Sequence, residues 1–111
     1  MSYHSSAQRV LNPKFTLGYR AKALNSCISE LSFRIKPSYA ELCGKYLPWG
    51  LEPPTEEMLI ESYAQIEALR NEYLRRRLAY RQMRILEKQR GNRYPREADL
   101  AFIGDILLPK D

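Results

Sequence analysis

The sequence predicts an all-α fold, extended rather than compact: a helical hairpin-like arrangement of short helices flanking one long helix. Three observations predict it. Apolar residues fall at helical spacing over residues 15–35 and again over 55–90. The second stretch runs roughly 35 residues without Gly or Pro, which makes a rod of about 50 Å. Helix start and stop residues bracket each segment where the periodicity begins and ends.

Residues 1–11 read as a mobile basic arm, and residues 12–111 as a single helical domain. Asn12-Pro13 predicts the first helix start, with Asn as cap and Pro at the first helical position. Leu17, Ala21, Leu24, Ile28 and Leu31 share its apolar face, with Cys27 beside them. Lys36-Pro37 ends it, because the residue before proline is pushed out of the α region. Ser38 caps a short second helix that runs to about residue 47. Pro48-Trp49-Gly50 and Pro53-Pro54 then form a rigid connector, with Trp49 expected to cover one end of the core.

Thr55 caps the long helix, and Glu56 and Glu57 occupy the first turn, where the helix dipole favours acids. Gly91-Asn92 supplies its stop. A last helix is expected to open at Pro95, with Leu100, Phe102, Ile103, Ile106 and Leu107 as its apolar surface.

The net charge of +5 is distributed in blocks. Residues 46–69 hold five acids and no base, whereas residues 70–96 hold ten bases and two acids. The first 29 residues contain no acid but carry Arg9, Lys14, Arg20 and Lys22, the composition of an organellar import segment or of an ordinary basic arm. No apolar run approaches the ~20 residues that span a bilayer. Peripheral contact with a membrane stays open.

Cys27 and Cys43 are the two cysteines and His4 is the sole histidine. A structural zinc site needs about four such ligands, so no metal is expected. Two reduced thiols are the expected state, and a disulfide stays open. There is no Ser-His-Asp order, Gly-rich phosphate loop or HExxH motif. No catalytic residue and no cofactor is expected, and the chain does not read as an enzyme.

One feature of the long helix carries a functional reading. On a 100° wheel, Leu59, Tyr63, Ile66, Leu69, Tyr73, Tyr80 and Met83 form one apolar stripe, and Ile60, Leu74, Leu78 and Ile85 form another. Between them lies a basic ridge of Arg70, Arg77, Arg81, Arg84 and Lys88. A ridge between two apolar walls becomes half-buried when the walls pack, and arginine suits that place with its apolar stem and planar fork. An ordinary solvated charged face is one reading of the ridge; on the other, a partner supplies carboxylates, phosphates or carbonyl oxygens, and the ridge with Tyr73 and Tyr80 are the candidate partner-binding residues. The alternative is nucleic acid, with arginines on phosphates and tyrosines stacked on bases, as in a small basic organellar ribosome-associated protein. The acidic block on the same helix opposes that reading. A chain too short to cover both stripes is also expected to self-associate when isolated.

Glu67-Ala68-Leu69-Arg70, Tyr80-Arg81-Gln82-Met83-Arg84 and Tyr94-Pro95-Arg96-Glu97, within residues 35–100, together resemble a small accessory subunit of the mitochondrial cytochrome bc1 complex, the peripheral matrix-side helical subunit of ubiquinone-binding-protein type. Glu67-Ala68-Leu69-Arg70 matches that family's first element. Tyr80-Arg81-Gln82-Met83-Arg84 resembles its arginine segment, and Tyr94-Pro95-Arg96-Glu97 its proline element. Residues 35–42 resemble a further upstream segment. Asn71-Glu72 departs from the family's Leu-Pro. The resemblance implies a non-redox subunit of the respiratory chain, packed on membrane-embedded and core protein subunits at the matrix face of the inner membrane.

Overall fold

The computed structural model describes residues 2–35, 37–50 and 52–92. They form four helices, with no strand among them. The helices are α1 (Tyr3–Leu11), α2 (Leu17–Ser32), α3 (Tyr39–Tyr46) and α4 (Glu56–Gln89). Extents of 55 × 23 × 21 Å and a radius of gyration of 16.8 Å make the molecule elongated. A compact chain of this length would have a radius near 13 Å.

α1 corrects the expectation of a mobile arm at residues 1–11. The Ser2 hydroxyl caps it by accepting the Ser5 N–H. Ser6, Ala7 and Val10 bury one face against α2. An isolated nine-residue helix is marginal in water, so packing on α2 holds this one.

α2 begins four residues later than the Asn12-Pro13 signal, because Thr16 is its cap and accepts the Tyr19 N–H. The Asn12 carboxamide oxygen accepts from the Lys14 N–H instead, closing a turn ahead of the helix. α2 ends at Ser32, short of the proline. Ser38 and Thr55 cap α3 and α4 as expected, accepting the N–H groups of Glu41 and Met58. At the far end of α4 the Asn92 N–H reaches the Glu87 carbonyl at 2.9 Å and the Gly91 N–H reaches Lys88 at 3.1 Å. Those two bonds make a Schellman stop, and Gly91 supplies the required positive φ of 95°. The helix expected from Pro95 lies outside the described residues.

The core forms where α1, α2, α3 and the first half of α4 meet. Val10, Leu24, Ile28, Ile35, Leu59 and Ile66 are fully buried there, each worth about 1.5–3 kcal/mol relative to exposure. Trp49 packs on this cluster from the connector, as expected. Cys27 is buried and Cys43 half-buried, both as free thiols.

One buried ion pair joins three elements. Arg20 of α2 donates from Nε to the Val10 carbonyl at 2.7 Å, at the end of α1. Its two terminal nitrogens fork onto the Glu56 carboxylate at 2.5 and 3.0 Å, in the first turn of α4. The guanidinium is buried while Glu56 stays open to solvent, so the carboxylate keeps most of its hydration and the arginine is satisfied on both sides.

Candidate functional site

α4 presents its buried positions at Leu59, Ser62, Ile66 and Tyr73, a spacing that keeps them on one face toward α2. The covering helices do not follow α4 to its end. The start of α1 and the close of α2 reach only as far as Arg70, Tyr73, Leu74 and Arg77, around a shallow cleft. Beyond them α4 projects, and the ridge predicted from sequence lies mostly on that projection.

The five ridge positions do not share one environment. Arg70 is half-buried, its guanidinium 4.3 Å from the centre of the Tyr3 ring. The Tyr3 hydroxyl donates to Glu67 at 2.6 Å, so Tyr3 ties α1 to α4 from both ends of its side chain. Burial of the phenol, with Glu67 beside it, raises its pKa well above the usual tyrosine range. Arg77 is exposed and donates to the Tyr73 hydroxyl at 3.3 Å. Arg81 and Lys88 are exposed. Arg84 is 7 % exposed and donates to the Asn92 carbonyl at 2.9 Å. Arg84 therefore leaves the ridge and joins the buried face, eleven residues or three helical turns from Tyr73.

The two apolar walls also differ. Tyr73 is buried and Tyr80 half-buried against the core, so that wall is turned inward. The other wall is open: Leu74 is 40 %, Leu78 55 % and Ile85 52 % exposed. Leu74, Leu78, Arg77 and Arg81 together line a second shallow groove along the projection. Among the described residues, only one flank of the ridge is packed on the core.

Charge pairing separates the arginines further. Glu72 accepts from both Arg75 and Arg76, at 2.6 Å in each pair. Those hydrogen bonds push its carboxyl down to about 2. Arg90 pairs with Glu87 at 3.3 Å. No carboxylate among the described residues pairs with Arg77 or Arg81 on α4, or with Arg34 just past the end of α2. The sequence reading missed Arg34, which periodicity along α4 has no means to bring beside Arg70 and Arg77.

Burial, with Glu67 nearby, pushes the Cys27 thiol up to about 12, which disfavours its thiolate form. Among the described residues no three His, Cys, Asp or Glu side chains gather as metal ligands would. No helix among them is long and apolar enough to cross a membrane. Comparison with known protein families, with curated proteins and with solved structures gives no match.

Proposed function

We propose that this chain is a non-catalytic accessory subunit of a larger assembly, docked on protein neighbours through the projecting half of α4. One observation carries the proposal. Leu74, Leu78 and Ile85 stand open along the same projection as two arginines, Arg77 and Arg81, that no carboxylate among the described residues pairs with. A protein surface with an apolar strip and flanking carboxylates or carbonyls satisfies both at once. In its finer form the proposal takes the assembly to be the cytochrome bc1 complex at the matrix face of the mitochondrial inner membrane. That form rests on the motif resemblance and the acid-free first 29 residues.

The test is native purification of the tagged chain from cells, comparing wild type with the Leu78→Glu, Ile85→Glu double variant. The double variant should keep its helicity by circular dichroism and lose the co-purifying assembly. Equal recovery of the assembly with both forms sinks the docking reading. Migration of the wild type on a native gel away from cytochrome b removes the finer form only. Tight binding of RNA at physiological salt would favour the nucleic-acid alternative, which the same bare arginines and Lys88 support and the exposed Glu57 and Glu61 oppose.

A further inference from the structure

A cleft opens where the first turn of α1, the end of α2 and the middle of α4 come together. Arg34, Arg70 and Arg77 line it, with Leu31, Tyr73 and Leu74 among its apolar walls. These arginines come from the turn after α2 and from α4, and are separated by 36 and 7 residues in the chain. The fold gathers them, although three like charges repel across a small space. Elsewhere on α4 the chain matches arginine with its own glutamates: Arg75 and Arg76 share Glu72, and Arg90 takes Glu87. In the cleft it does not. Arg34 has no ion pair among the described residues, and Arg77 meets only the neutral Tyr73 hydroxyl. Arg70 lies over the face of Tyr3, 4.3 Å from the ring centre, and makes no ion pair among the described residues. Glu30 is the one acid at the rim, one carboxylate against three guanidiniums.

We infer that this cleft receives an acidic side chain of the partner protein, a Glu or Asp flanked by an apolar residue, which Arg34, Arg70 and Arg77 hold by forked hydrogen bonds. Arginine's planar fork fits a carboxylate edge on, and Leu31 and Leu74 take the neighbouring apolar group. The cleft adjoins the Leu74–Arg77–Leu78–Arg81 groove, so one partner segment engages both in sequence. The inference rests on the docking reading above and adds the chemistry of its anchor.

The probe is a short fluorescein-labelled peptide of Glu and Leu in helical alternation, titrated by anisotropy into the purified full chain at physiological ionic strength. Its Gln-for-Glu counterpart and a labelled oligouridylate are titrated in parallel. The acidic peptide should bind, and the Gln form should bind about tenfold more weakly. Arg34→Gln and Arg77→Gln should each weaken the acidic peptide by about five- to tenfold, whereas Arg75→Gln, which removes the same charge outside the cleft, should change it less than about twofold. Circular dichroism on each variant keeps the comparison among folded proteins. Absence of peptide binding, equal binding of the Gln form, or equal effects at positions 34, 77 and 75 overturns the inference. Tighter oligouridylate binding with the same dependence on Arg34 overturns it in favour of a phosphate site. Any of these results beside an intact co-purifying assembly means that the cleft assignment is wrong and the docking surface stands. Loss of the assembly reading leaves the peptide titration unchanged, so the two failures are distinguishable.

Discussion

The two halves of α4 belong to one uninterrupted helix, yet they stand in opposite situations. In the first half, Leu59 and Ile66 are fully buried under α1, α2 and α3, and the acids sit at the helix start, where the dipole favours them. In the second half, Leu74, Leu78 and Ile85 stay open and the charge turns basic. Helix propensity does not separate the halves, since both are rich in good helix formers. What separates them is how far the short helices reach. α1 has nine residues and α2 sixteen, against thirty-four in α4. The first half is therefore where stability is stored, and the second is where surface is left for something else. Each substitution below tests that division, from the largest expected effect on folding stability to the smallest.

Ile66→Ala removes a fully buried side chain from the covered half. Large-to-small changes at such sites cost about 2–5 kcal/mol, and Leu24→Ala on α2 should fall in the same range. Urea unfolding followed at 222 nm measures both. A cost below about 1 kcal/mol at these positions would mean that the covered half is not the stable half, since that is the range of surface changes.

Arg20→Gln comes next, at about 2–3 kcal/mol. It strips the Val10 carbonyl of its donor and breaks the fork onto Glu56. The partner gives a pH signature. The hydrogen bond from Arg20, helped by its charge and opposed by desolvation, holds the Glu56 carboxyl below its ordinary value of 4.5. A folded value below the unfolded one contributes stability that is complete above pH about 4.5 and is lost as pH falls through the folded value. Melting temperatures of wild type and Glu56→Gln should therefore differ at neutral pH and converge on acidification. Parallel curves down to pH about 3 would show that the Arg20–Glu56 pair does not hold the end of α1 to α4 in solution.

That pair also marks the boundary of what sequence reasoning reached. The caps at Ser38 and Thr55 and the Gly91 stop were legible because each acts within a few residues of its own helix. The all-α class followed from the same local signals. α1 was not legible, since its buried face is built from Ser6, Ala7 and Val10, small side chains that leave a weak apolar pattern. Asn12-Pro13 looked like a helix start because Asn serves caps and turns by the same side-chain hydrogen bond, and here it closes a turn. Arg20 with Glu56, 36 residues apart, and Arg34 with Arg70 are juxtapositions that only the packed fold creates. The ridge was half legible. A wheel places Arg77, Arg81 and Arg84 on one face but carries no information about where the cover ends, so it did not separate the buried Arg84 from the open pair.

Tyr3→Phe should cost about 1 kcal/mol. It deletes the hydroxyl that donates to Glu67 and keeps the ring beneath Arg70. Because Tyr3 sits where the cover ends, the loss should appear as faster amide exchange in α1 without a matching change in the last turns of α4. Exchange rising equally in both would mean that the two halves open together.

Leu78→Ala and Ile85→Ala carry the smallest expected effect and the sharpest test of the division. Leu78 is 55 % and Ile85 52 % exposed, so neither change opens a cavity. Alanine also has the best helix propensity, by up to about half a kcal/mol over isoleucine. The expected change in folding stability is therefore within about 0.5 kcal/mol of zero, with Ile85→Ala on the stabilising side. Both changes should at the same time weaken association, because they trim the apolar strip that a partner would cover. Urea unfolding measures the first effect, and native co-purification the second. A folding cost comparable to that of Ile66→Ala would mean that these side chains are packed within the folded chain. The projecting half of α4 would then be core, and no docking surface would remain there to argue for.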